Sequence, residues 1–135
     1  MTQRFVRACS GDRVTEAELQ WSERPPWHLV LRIPDVQPLE ASADDLFACL
    51  AAIRQQAARS GWRICVAGAR TDAWPSRMSS QMGGASLVYV HTMGLQARAE
   101  DLRPIFDDTP CDAVGSVEQQ ALFRREWLRS LGNEA

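Results

Sequence analysis

The sequence predicts a single α/β domain, with α+β as the alternative: one small mixed sheet of about four or five strands, a crossover helix over residues 43–59 and a C-terminal helix over 116–131. Three observations predict it. Residues 27–33, WHLVLRI, alternate apolar and polar side chains as a half-buried strand does. Residues 62–67, WRICVA, form a nearly continuous apolar run, the pattern of a strand buried on both faces. Between them Leu46, Leu50, Ile53 and Ala57 recur at helical spacing with Phe47 and Ala51, while Arg54, Gln55 and Arg59 fill the polar side. Strand, helix and strand in that order imply a right-handed crossover and a parallel pair.

The remaining elements follow in chain order. Residues 3–9 read as a short edge strand, and Ser10-Gly11-Asp12 is turn chemistry. Residues 14–21 read as a strand carrying Val14, Leu19 and Trp21, with one or two helical turns as the alternative. Arg24-Pro25-Pro26 interrupts the chain, because proline lacks an N–H and fixes φ. Pro34 and Pro38 bracket an extended connection, and Ser42 offers an N-cap with Asp44 and Asp45 in the first turn. Gly61 terminates that helix. Gly68 to Ala85 is loop-rich with a short helix near 76–82, and residues 86–92, SLVYVHT, form a further strand. Residues 94–112, containing Pro104 and Pro110, read as irregular with one turn near Asp101–Phe106. Ser116 and Gln119 make a capping box, after which Phe123, Trp127 and Leu131 form one stripe ended by Gly132. The predicted core is Trp27, Leu29, Leu31, Leu46, Leu50, Ile53, Ile64, Val66, Leu87, Tyr89, Phe123 and Trp127. No repeat or linker divides residues 1–135, which read as one domain.

Charge and composition close off several functions. Net charge is −2, so no basic footprint for nucleic acid is expected. All fifteen basic residues are arginine, which excludes Schiff-base chemistry on lysine and a phosphate-loop lysine. Cys9, Cys49, Cys65 and Cys111 are widely spaced with no C-x-x-C pair, so neither a zinc motif nor a redox motif is expected. Cys49 and Cys65 read as buried small hydrophobes and Cys9 and Cys111 as more exposed; all four are expected to be unbridged. The N-terminus lacks a signal-peptide apolar stretch and no segment is long enough to span a membrane. A cytoplasmic location, no membrane partner and no cofactor are the expectations.

Few residues offer chemistry. His28 and His91 are the only histidines and neither has metal-ligand spacing; His91, beside the loop-rich side, is the better general base, with Asp72 near the Gly83-Gly84 turn. Met82-Gly83-Gly84 could present N–H groups to an anion, but two glycines before a strand usually mark a turn. Ser76, Ser79 and Ser80 lack the nucleophile-elbow context. Residues 100–112 carry five acidic side chains against one arginine, a solvated loop or a patch steering a basic partner. Trp74 lies in a polar loop with Arg70, Asp72 and Arg77, and tryptophan with arginine dominates interface hot spots. Met78 and Met82, four apart on a short helix, suit core filling or an adaptable surface.

Gly68-Ala69-Arg70, Asp72, Pro75-Ser76, Met78, Met82-Gly83-Gly84 and Tyr89 together resemble a family of small bacterial proteins with a "GAR-x-D-x-x-P-S-x-M…MG-x-G…Y" core. Ile105-Phe106-Asp107, Val114 to Gln119, Phe123 and Trp127 to Leu131 extend the resemblance, which covers about residues 62–131. Arg77 stands where the pattern more often has glycine. Members resemble immunity proteins encoded beside contact-dependent or secreted polymorphic toxins. The resemblance implies a protein that binds and neutralises a cognate toxin domain without catalysis. Arg70, Asp72, Trp74, Arg77, Met78, Asp107 and Asp108 are the expected contact residues. Two other classes stay open: a small hydrolase or transferase using His91 and Asp72, and a structural subunit dimerising through a sheet edge.

Overall fold

The computed structural model describes residues 1–132, without the side chains of Gln81 and Met82. β1 (Thr2–Ser10) and β2 (Arg13–Trp21) form a hairpin turned at Gly11, whose φ of +59° suits a residue without a side chain. β3 (Trp27–Arg32) and β4 (Leu39–Ala43) continue an antiparallel meander. α1 (Leu46–Arg59) then carries the chain to the opposite edge, where β5 (Arg63–Ile64) pairs antiparallel with β1. The strand order is β4-β3-β2-β1-β5. A second antiparallel sheet, β6 (Ala73–Pro75), β7 (Leu87–Val90) and β8 (Leu102–Pro104), follows in that order, with α2 (Arg77–Met82) between β6 and β7. α3 (Val117–Ser130) ends the described chain apart from its cap. The molecule is thus a mixed α+β fold with a crossover helix and a C-terminal helix.

Alternation builds the core. Val6 and Ala8, Ala17 and Leu19, and Leu29 and Leu31 share one face of the large sheet, and all are buried against an α1 stripe of Leu46, Leu50, Ile53 and Ala57. Asp45, not Ser42, caps α1, its carboxylate accepting from the Ala48 N–H at 2.7 Å. Ser42 belongs instead to β4, an added strand where an extended connection was expected, because the Pro38 end of that segment leaves Leu39–Ala43 free to pair with β3.

Other expectations change as well. β1 is not an edge strand, since β5 covers its free side. The 27–33 and 62–67 segments are not a parallel pair: α1 spans the sheet from β4 and delivers β5 antiparallel to β1. The apolar run 62–67 owes its burial less to sheet than to residues 105–109, which run antiparallel along it. Ala67 N–H donates to the Asp107 carbonyl at 2.8 Å, Gly68 N–H to that of Ile105 at 2.8 Å, and Thr109 N–H to that of Cys65 at 3.2 Å. That fold-back sets Cys111 against Cys65, and the two form a disulfide across Cα atoms 4.9 Å apart, correcting the expectation of four free thiols. Cys9 and Cys49 are free and both are buried, Cys9 contrary to expectation. Leu87, expected in the core, is 37% exposed, while Val88 beside it is buried, because β7 turns the other face inward.

Candidate functional site

The loop and helix over residues 70–78 are positioned by β6 on one side and by Arg70 on the other. The Arg70 guanidinium makes a bidentate pair with Asp72, Nε to Oδ1 at 2.8 Å and Nη2 to Oδ2 at 3.0 Å, and donates to Thr109 Oγ1 at 2.9 Å. The hydrogen bonds to Asp72 hold its pKa above the ordinary arginine value. Trp74, opposite Tyr89 in the sheet register, packs edge-on to Phe47 with ring centroids 5.1 Å apart, and the Arg124 guanidinium lies 5.7 Å over its ring. Ser76 caps α2 by accepting from the Ser79 N–H. Arg77 opens that helix, so its backbone is right-handed helical. Arg77 and Met78 are exposed, Met78 by 71%. The Met82 side chain of the expected pair lies outside the described residues.

His91 shares Arg124 with Trp74. Its ring stacks on Trp127 with centroids 3.7 Å apart, its Nε2 is 3.2 Å from Arg124 Nη1, and its Nδ1 has no hydrogen-bond partner. Guanidinium only donates, so Nε2 is the acceptor and Nδ1 carries the proton. Burial first, and then the charge of Arg124, lower the pKa of His91 to about 4. Arg124 itself is lowered by burial and by Arg77. Asp72, the other residue of the enzyme alternative, is held by Arg70, and its carbonyl accepts from the His91 backbone N–H at 2.8 Å. Neither nitrogen of His91 is available to take a substrate proton in this arrangement. At the Gly83-Gly84 turn, Gly83 N–H is used by the Ser79 carbonyl, and Gly84, at φ +65°, lies against the Trp27 indole, where a side chain would collide.

Asp107 and Asp108 do not join this cluster. They lie along β1, where Arg4 Nη1 donates to Asp107 Oδ1 at 2.9 Å and Arg7 holds both carboxylate oxygens of Asp108 at 3.1 Å. The structure therefore groups Arg70, Asp72, Trp74, Arg77 and Met78 and separates the two aspartates.

Two polar residues unmarked in the sequence hold the loop from below. Gln120, 1% exposed, donates to the carbonyls of Gly68 and Arg70 at 2.9 and 2.8 Å and accepts from Arg54 Nη1 at 2.7 Å. Arg54, expected on the polar side of α1, is 6% exposed and also donates to the carbonyls of Ala69 and Gly115. Burial lowers its pKa to about 10, offset in part by Glu118. Arg54 borders a cleft of about 600 Å³ between α1 and the first turn of α3, with Arg59, Arg63, Trp62 and Gln119 on its walls. A signal was present in the sequence: Gln120 shares the helical stripe of Phe123 and Trp127, and Arg54 lies four residues after Leu50. On the far side of the large sheet, the Cys9 sulfur stands 3.7 Å from that of Cys65. No helix among the described residues is long and apolar enough to cross a membrane. No protein-family model matches the sequence, and no curated protein matches it either.

Proposed function

We propose that this protein is an immunity-type binding module, which covers a cognate toxin domain and neutralises it without turnover. The observation that carries the reading is the surface at residues 74–78: Arg77 and Met78 exposed beside a Trp74 already clamped between Phe47 and Arg124. A tryptophan fixed before contact loses little conformational freedom on binding, and tryptophan and arginine are the residue types that concentrate interface energy. Methionine beside them supplies an adaptable apolar contact. Arg77 and Arg124 together make this surface cationic, so it suits an acidic patch on the toxin. The neutral, enclosed state of His91 supports binding over proton-transfer catalysis.

The test is co-expression with the C-terminal domain encoded by the neighbouring gene. Binding and loss of toxicity are expected, with Trp74→Ala or Arg77→Glu weakening affinity about thirtyfold, the equivalent of about 2 kcal/mol. Asp107→Ala and Asp108→Ala, already engaged by Arg4 and Arg7, are expected to change affinity by less than about threefold, within the range of rim charges. A neighbouring domain that is neither bound nor silenced overturns the reading.

A further inference from the structure

We propose that, in its reduced form, the chain binds a thiophilic cation such as Zn²⁺ through Cys9, Cys65 and Cys111. The three cysteines come from β1, from the extended chain after β5 and from the 3₁₀ turn before α3, and their sulfurs all lie within 4.8 Å of one another. With zinc–sulfur bonds of about 2.3 Å, thiolates on a tetrahedral ion stand about 3.8 Å apart. The Cys9 and Cys65 sulfurs are already 3.7 Å apart. Cys9 and Cys65 are 2% and 0% exposed, so these two donors are held by strand pairing and packing rather than by free loops. Cys111 is half-buried on a short turn, which leaves one side open for the ion to enter and for water to take a fourth position. All three donors are sulfur, which selects zinc or copper(I) over the oxygen-seeking calcium and magnesium.

The Cys65–Cys111 disulfide must open first. A phosphine reductant supplies two electrons and leaves as its oxide, with water providing the oxygen and the two protons that make both thiols. Metal entry then forms three metal–sulfur bonds and releases three protons to the buffer. Oxidation and metal loading are mutually exclusive at Cys65 and Cys111, so the same cluster has a bridged state and a loaded state. The wide spacing of residues 9, 65 and 111 hid this group in the sequence; only β-pairing and the fold-back of residues 105–111 assemble it. The inference is independent of toxin binding.

The experiment titrates air-free, phosphine-reduced protein with Co²⁺, follows the thiolate-to-cobalt charge-transfer absorption, and then displaces cobalt with Zn²⁺ against a chromophoric chelator. One equivalent is expected to bind, with an intensity corresponding to three thiolates. Cys9→Ser and Cys111→Ser should each weaken zinc binding more than about a hundredfold, beyond the loss typical of an outer-shell change. Cys49→Ser should leave it unchanged, since that sulfur lies apart, 3.7 Å from the Trp27 carbonyl. Oxidised protein should bind none. Failure of reduced wild-type protein to bind one equivalent overturns the proposal, as does an intensity of two thiolates or fewer. Because the cobalt spectrum is read on the wild-type chain, the result stands even where a cysteine variant folds poorly.

Discussion

At His91, burial first and then the neighbouring Arg124 guanidinium keep the imidazole neutral far below its usual range, at a pKa of about 4. The unfolded chain protonates this group near 6.5, so the unfolded state binds more protons wherever the pH lies between the two values. The contribution is therefore complete above about pH 6.5 and is lost as pH falls toward 4. For a residue this buried it amounts to about 3 kcal/mol at most. Urea unfolding at pH 7 and pH 4.5 should show a smaller loss of stability in His91→Asn than in the native chain; equal losses would remove His91 as the source. Gln120 is the second residue whose surroundings are decisive, because it satisfies two carbonyls and a buried guanidinium at once. Gln120→Leu leaves the charged partner short of an acceptor in a buried site and should cost about 3 kcal/mol in chemical denaturation. Neither role could be read from the residue type alone. Histidine and glutamine are ordinary on a strand or helix until packing removes the water around them.

Elements with local punctuation were legible from sequence. The Ser116–Gln119 capping box is present, Gln119 Oε1 accepting from the Ser116 N–H at 2.8 Å and Ser116 Oγ from the Gln119 N–H at 3.0 Å. Ser116→Ala should lower stability by about 1 kcal/mol, measured as a shift in urea midpoint with unchanged slope. α1 was legible from its apolar periodicity, although Asp45 rather than Ser42 caps it, and α2 was expected as a short helix near 76–82. β4, β6 and β8 were not legible, because each has only three to five residues and carries too little alternation to stand out. The apolar run at 62–67 was recognised as buried but given the wrong surroundings. Ile64 is paired with Ala8 in the large sheet and buried in the core, so Ile64→Ala is still costly, at about 2–5 kcal/mol. A loss below about 1 kcal/mol would show that the site collapses around the deletion.

On the scale of the whole molecule, the Cys65–Cys111 link closes a segment of 46 residues in sequence separation that holds all of the small sheet and the 70–78 surface. A crosslink of that span limits the unfolded chain. Its reduction in metal-free protein should therefore lower stability by about 2–4 kcal/mol, read from urea curves with and without reductant. By itself the sequence determined the mixed composition of the fold and the crossover and C-terminal helices. Those features depend on alternation, caps and turn residues, whose forces are local. Trp74, expected in a loop, stands in β6, and Arg77 opens α2. Only the tertiary structure decided the antiparallel order of the large sheet, the second sheet, and the diversion of Asp107 and Asp108 to Arg4 and Arg7. It also decided the burial of His91, the carbonyls that Arg54 and Gln120 meet, and the meeting of three sulfurs from positions 9, 65 and 111. Each of these depends on which distant segment excludes water from a given side chain, and spacing along one chain carries no record of that choice.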